Sequence, residues 1–253
     1  MKIYDPYAHS YDADFNTGLE DMPLYREMAR RTGGPILELM CGTGRLLLPL
    51  AEDGYHLTGV DSSQPMLEVA HASLSDAGFI GQTTLLHGDA RTIELPANHF
   101  ALAFVAINSF MHLQRVNDQL AALRTAHTAL APDGLFIIDL FNPNPVHMLE
   151  EDNRLVLERH YVLNGRRVYK LFASDTDPAS QTTRMTYFFD EVDEQGTISR
   201  RVMEFTMRWL YRYELEHLLA RAGFVLQSLY GSYDLEPYTN HSERMIAVAA
   251  LTP

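Results

Sequence analysis

The residues with the clearest capacity for chemistry are a glutamate, two glycines and an aspartate. Glu38-Leu-Met-Cys-Gly-Thr-Gly44 lies where the apolar run Pro35–Met40 gives way to a helical period. Glycine carries no Cβ, so backbone N–H groups in such a turn can approach a ligand closely. Asp61 ends the next apolar run, 23 positions after Glu38. A carboxylate at that strand end is placed to accept both hydroxyls of a ribose. The two features together imply a nucleoside-containing cofactor at the carboxyl ends of parallel strands. A dinucleotide would need G-x-G-x-x-G, with a pyrophosphate on the helix N-terminus. Here Gly42-Thr-Gly44 is followed by Arg45, Leu46 and Leu47, and the third glycine is missing. Glu38 would repel a pyrophosphate, but it suits a ligand with an ammonium and a sulfonium.

Elements that could position these groups follow from periodicity. Pro35–Met40 and His56–Asp61 read as buried strands, and Gly44–Glu52 as the helix between them. Pro49 falls inside that helix, near its start, where a lost hydrogen bond is cheap. Ser62 and Ser63 before Pro65 read as a capped helix start running to Leu74. Thr84–His87, Phe100–Ile107 and Leu135–Leu140 read as further strands. Asn117–Leu130 reads as an amphipathic helix ended by Ala-Pro-Asp-Gly134. Strands alternating with helices give a mostly parallel, doubly wound α/β sheet covered on both faces. After Asn142-Pro-Asn-Pro145 the period becomes two. Arg154–Leu210, with hairpin signals at Asn164-Gly165 and Glu194-Gln195-Gly196, reads as about four antiparallel strands. Arg212–Arg221 returns to a helix closed by Gly223, and Val225–Tyr230 and Arg244–Leu251 read as two last strands. Residues 1–34 read as mostly helical, with Met22–Arg31 the best segment.

Composition narrows the classes. The 253 residues hold 20 Lys+Arg against 33 Asp+Glu, a formal charge of −13, which argues against a nucleic-acid partner. At 46% hydrophobic and 21% charged, the chain has the make-up of a folded globular protein. The single cysteine, Cys41, excludes an intrachain disulfide and a Cys-rich zinc cluster, and reads as a small buried filler. The N-terminus shows no apolar stretch of the secretory kind. The longest apolar run, Phe100–Ile107, falls far short of the ~20 residues of a membrane span. The expectation is a cytoplasmic protein without a membrane partner.

Four segments resemble the class I S-adenosylmethionine (SAM) dependent methyltransferases, of the kind that act on small molecules. ILELMCGTGRLLLPLA is similar to that family's first motif, GVDSSQPMLEVA to its ribose and adenine segment, HGDAR to its adenine-amine segment and LAPDGLFIIDLFN to its fifth-strand region. The resemblance covers residues 35–142 strongly and the tail from Arg212 weakly. Met40 departs from it, standing where the family has the first glycine of E/D-x-G-x-G-x-G. The resemblance implies a seven-stranded Rossmann-like sheet with an antiparallel insert, and SAM as cofactor with S-adenosylhomocysteine as product. It implies that Glu38 holds the methionine ammonium, that Met40, Cys41, Gly42 and Gly44 form the loop beside the cofactor, and that Asp61 binds the ribose. Ser62 and Met66 would flank the adenine, Asp89 would accept from its amine beside Ala90 and Arg91, and Asn108 would face the methionine. Tyr11 would close over the cofactor from an N-terminal lid.

The domain plan is then a lid segment over 1–34, a SAM-binding core over 35–150, an insert over 151–210 and a C-terminal helix with two core strands over 211–253. The insert would roof the acceptor pocket and is a candidate for pairing two copies of the chain. The function expected is methyl transfer from SAM to a nitrogen, oxygen or carbon of a small-molecule acceptor. Transfer of another SAM-derived group, such as aminopropyl, and a silent SAM-binding role are the alternatives. Asn108-Ser-Phe-Met lacks the prolines of nucleic-acid amino methyltransferases. Asp139 and Asn142 have no Asp partner on the fourth strand for a catalytic metal, so none is expected. His112, after the fourth strand, is the candidate catalytic base. The candidate acceptor-binding residues are His160, Tyr169, Tyr187, Trp209 and Tyr211.

Overall fold

The computed structural model describes residues 3–15, 18–144, 148, 150 and 152–252. A seven-stranded sheet forms its centre: β1 (Ile36–Leu39), β2 (Leu57–Asp61), β3 (Thr83–His87), β4 (Phe100–Val105), β5 (Leu130–Phe141), β10 (Phe224–Tyr230) and β11 (Arg244–Leu251). The spatial order is β10-β11-β5-β4-β1-β2-β3. β1 to β5 are parallel where they pair, and β11 runs antiparallel to both β5 and β10. Alternate residues of β4 serve two cores. Leu102 and Phe104 join Tyr25, Met28 and Leu47, while Ala103 and Val105 join Leu120, Leu123 and Leu215. Helices therefore cover both faces, as a doubly wound sheet requires. They are α2 (Met22–Thr32), α3 (Leu47–Glu52), α4 (Gln64–Asp76), α5 (Val116–Ala129) and α6 (Arg212–Arg221), with a single turn of helix, α1 (Tyr11–Phe15), before them. Among the described residues no helix is long and apolar enough to cross a membrane.

Three local expectations change. The helix after the glycine turn starts at Leu47, not Gly44, which places Pro49 in its first turn, where N–H groups have no partner within the helix. Ala131-Pro-Asp-Gly134 lies inside β5 and does not precede it. Phe100 pairs with Leu130 and Leu102 with Leu135, so Pro132 sits in a bulge that asks no N–H of it. The insert contains a third turn, between β7 and β8, in which Gln181 takes φ +55.

The insert is a separate antiparallel sheet, β6 (Val156–Leu163), β7 (Arg166–Asp177), β8 (Thr182–Val192) and β9 (Ile198–Arg208), in sequential order. Asn164 and Gly165 both have positive φ, the geometry of a two-residue hairpin turn. Its inner face buries Val168, Phe189, Met203 and Phe205. What they pack on is the N-terminal segment, through Tyr4, Tyr7 and Phe15.

That segment is fastened on two sides. Toward the central sheet, Ser63 donates to Asp5 at 2.6 Å, Thr43 donates to Asp12 at 2.7 Å, and Tyr4 hydroxyl meets His112 Nε2 at 2.9 Å. Toward the insert, the fully buried Asp14 accepts from Arg201 at 3.1 Å and from Tyr161, and Arg159 donates to the Ala13 carbonyl. Charge-assisted bonds of this kind contribute about 1.5–3 kcal/mol. Asp14→Ala should therefore raise hydrogen exchange of the amides between Tyr4 and Phe15 by about tenfold or more, while Phe100–Val105 keep their protection. Equal exchange in parent and variant would mean that other contacts hold the segment down.

Candidate active site

The carboxyl ends of β1, β2 and β4 open on a cleft with two basins. The first, about 350 Å³, is lined by Asp61, Ser62, Met66, Asp89, Ala90 and Arg91, with Tyr4, Tyr11 and His112 on its lid side. The second, about 220 Å³, is lined by Glu38, Cys41, Thr43, Arg45 and Asp21, with Phe15 and Tyr233 opposite. Tyr11, Met40, Gly42, Ile107 and Ser109 border both, so the basins form one elongated site. Its length and two-part division suit a nucleoside joined to an amino acid.

Each acid is fixed by its neighbours. Asp61 accepts from the backbone N–H groups of Gly42 at 2.9 Å and Ser63 at 2.8 Å, which ties the ends of β1 and β2 together. Gly42 has φ +55 and Met40 has φ +62, so the turn between them depends on left-handed backbone. Glycine takes that conformation freely, whereas a methionine pays about 1 kcal/mol or more for it. Asp89 is paired to Arg91 at 2.5 Å, and the guanidinium holds its carboxyl below the usual range. Glu38 is 4% exposed, and its Oε2 has no hydrogen-bond partner. Burial pushes its carboxyl up to about 8, against the pull of Arg45. Arg45 is itself committed to Asp21 by two bonds of 2.5 and 2.6 Å. A buried carboxyl with an unpartnered oxygen, lining a cavity, is kept neutral until a cation arrives, and the ammonium of a methionyl group would let it ionise.

The expected cofactor set thus falls largely on the cleft: Tyr11, Glu38, Met40, Cys41, Gly42, Asp61, Ser62, Met66, Asp89, Ala90 and Arg91 all line it. Two members do not. Gly44 lines neither basin, and a Cβ there would stand 3.1 Å from that of Ala70, so it serves the packing of α4 on the turn. Asn108 faces away, its Oδ1 accepting from the Phe141 N–H at 2.7 Å, and the cleft is bordered instead by Ile107 and Ser109. Asp139 lies under this rim. It is fully buried, paired to Arg244, and accepts from Tyr233 at 3.1 Å and from the Ile107 N–H at 3.3 Å.

His112 reaches the first basin, but the expected base is poorly placed to act as one. Burial pushes its imidazole down to about 4, and Tyr4 occupies its Nε2. It latches the lid. Tyr4 and Phe205 also fill the space between His112 and the insert, where acceptor room was expected. The residues expected for the acceptor divide. Tyr187 and Trp209 line a separate cavity under the insert, and Tyr211 lies at a neighbouring depression shared with Trp209. His160 and Tyr169 pair with each other across β6 and β7 and line neither the cleft nor the cavity under the insert; Lys170, the residue next to Tyr169, faces inward. Arg45, Asp21, Phe15 and Tyr233 were not singled out from the sequence. Only the Arg after the glycine turn offered a local signal; the others are brought in by long-range contacts.

Comparison with known proteins agrees with this geometry. A family model described as a methyltransferase domain matches residues 36–134. The putative methyltransferase YqeM of Bacillus subtilis is 26% identical over 96% of this chain and 95% of its own length. The cypemycin N-terminal methyltransferase of a Streptomyces species is 26% identical over 85% of this chain and 82% of its own. In structure, the CcbJ methyltransferase from Streptomyces caelestis superposes with a TM-score of 0.84 at 24% identity, covering 100% of this chain and 99% of that one. With a methyltransferase domain over residues 36–134 and methyltransferase relatives matched along most of its length, the chain is a SAM-dependent methyltransferase enzyme with a seven-stranded Rossmann-like sheet.

Proposed function

We propose that this enzyme places the methyl group on a nitrogen of a small organic amine. The observation that carries the reading is the state of His112, the one imidazole among the described residues lining the cleft. It is held neutral with a pKa pushed down to about 4 and is engaged by Tyr4. A hydroxyl acceptor needs a base matched to its task, and this imidazole is too weak for that work. An amine that arrives unprotonated brings its own lone pair. The enclosure of the cleft by the N-terminal segment favours a small acceptor over a macromolecule. The relative named for N-terminal methylation of cypemycin also points to nitrogen.

In this reading Glu38 takes the methionine ammonium, Asp61 the ribose hydroxyls and Asp89 the adenine amine, with Ser62 and Met66 against the ring. Tyr11 covers the junction of the two basins. Bound there, SAM supplies a methyl already activated by its sulfonium. The protein's share is to orient the partners and exclude water, and orientation alone can contribute ~7–11 kcal/mol.

Three outcomes test these roles. At pH 7 Glu38 is mostly protonated, since its pKa stands at about 8, and an ammonium beside it draws that pKa down. Cofactor binding should release about one proton, read by calorimetry in buffers of different ionisation heat, and Glu38→Gln should release none. A binding heat independent of buffer would place the ammonium elsewhere. Asp61→Ala should weaken S-adenosylhomocysteine by ~1.5–3 kcal/mol, roughly 10–100-fold in Kd, with the circular dichroism spectrum retained; equal affinity would move the ribose site. Finally, labelled SAM offered with paired amines and alcohols should label the amines. Turnover should rise with pH as the amine deprotonates, and His112→Asn should keep that pH profile. Label on a hydroxyl or a carbon would overturn the nitrogen assignment.

A further inference from the structure

Beyond Phe15 lies a second cavity of about 340 Å³, between the inner face of the insert and the end of β5. Phe141 lies at its base, Phe172 and Tyr187 form walls, and Trp209 closes one side. Ser174, Thr176 and Thr183 bring hydroxyl groups to it, and Glu158 is its one charged lining residue among those described. Two rings in contact separate it from the cofactor cleft. Phe15 lines that cleft and meets Tyr187 edge-on at 5.5 Å, and Tyr187 lines the cavity.

Two features of this cavity bear on what it could hold. Trp209 is 2% exposed, yet its indole Nε1 has no hydrogen-bond partner. Leaving a buried N–H unpaired is unfavourable, and a buried indole usually finds an acceptor. A ligand oxygen would supply it once the ring turns its N–H toward the cavity that it lines. Glu158 is the extra residue of a β-bulge, since β6 pairs Leu157 with Leu171 and then Arg159 with Lys170. A bulge re-aims a side chain, and here it directs Glu158 to the buried Lys170, 2.8 Å from its Nζ. Lys170 is 1% exposed and lies 4.0 and 4.2 Å from the ring centroids of Phe15 and Tyr187. The lysine fixes the glutamate in place. A carboxylate has capacity for about four hydrogen bonds, and the Glu158 side chain is 34% exposed, so it can take a second cation.

We infer that Glu158 and Trp209 are the acceptor-selecting groups, and that the cavity they share takes an amine that also carries hydroxyl or carbonyl oxygens. The ammonium rests on Glu158 among aromatic faces, which attract organic cations. An oxygen of the same molecule accepts from Trp209 Nε1. Before reaction the ammonium gives one proton to the bulk buffer, which frees its lone pair. Phe15 and Tyr187 form the partition the amine must pass to reach the cofactor cleft. This inference rests on the amine reading above and adds which amines are chosen and by which residues.

Trp209 is the only tryptophan of the chain, so its fluorescence reports on the cavity directly. The test titrates the full-length protein, saturated with S-adenosylhomocysteine, with D-glucosamine and with D-glucose, which differ by one amine in place of a hydroxyl. Glucosamine should change the emission saturably, at a concentration at least tenfold lower than glucose. Glu158→Gln should abolish the tenfold preference. The double variant Glu158→Gln/Lys170→Met, which does not strand a buried charge, should do the same if the single variant fails to fold. Equal responses to the two sugars, no response to glucosamine, or a preference that survives in the folded variant would overturn the inference. The readout separates the two readings. Amine methylation with Trp209 silent places the acceptor elsewhere, whereas a Glu158-dependent response without methylation of any amine defeats the nitrogen assignment and leaves the cavity assignment standing.

Discussion

The inner face of the insert sheet has no partner of its own, and that constraint organises the whole active side of the molecule. Four strands with one apolar face must bury it against something. The sheet presents Val168, Phe189, Met203 and Phe205 on that face, and the N-terminal segment covers them with Tyr4, Tyr7 and Phe15. The same segment runs over the cofactor cleft, with Tyr11 above the junction of its two basins. Burying the insert and bordering the cleft are therefore one packing event. Arg201 and Asp14 give that event a fixed register, because the carboxylate is fully buried and requires its cation.

A second buried charge pair holds the opposite rim. Asp139, on β5, is paired to Arg244 on β11 and accepts from the Ile107 N–H and from Tyr233. Burial raises its carboxyl pKa, and Arg244 counters that effect. Asn108 adds a bond to the Phe141 N–H. The turn after β4 has positive φ at Ile107 and Asn108, a backbone that would relax if left unsupported. Polar groups behind the rim thus hold a strained turn in place, and Ile107 and Ser109 are the side that faces the cleft.

The parallel sheet was legible in the sequence because its strands are short apolar runs broken by turn residues, and the acids that line the cleft because they follow those strand ends directly. Glu38, Asp61 and Asp89 could be placed without knowing any contact. What escaped depends on register and distance. Asn108 has the right position after β4, but its side chain is claimed by Phe141, a neighbour set only by the pairing of β4 with β5. Tyr169 and Tyr187 looked equivalent as aromatic residues of the insert. The observed register pairs Phe172 with Tyr187 and Lys170 with Phe189, which leaves Tyr169 on the other face. Glu158 was invisible for a related reason, since a bulge breaks the alternation that a period-two reading assumes. The turn at Gln181 carries no glycine and gave no strong signal. His112 was read from its place in the chain, and only its burial beside Tyr4 reveals its state.

The double fastening of the N-terminal segment has a kinetic meaning. Tyr4, Asp5 and Asp12 are bonded to the body of the protein at His112, Ser63 and Thr43, while Asp14 is bonded to the insert. Anything enclosed beneath Tyr11 leaves only after several of these bonds open together. Opening of such a cover occurs on the microsecond-to-millisecond scale, and in many enzymes it sets turnover in place of the chemical step. The spent cofactor would then be the slow-leaving species, and each catalytic cycle would be timed by the unfastening of a strap about a dozen residues long.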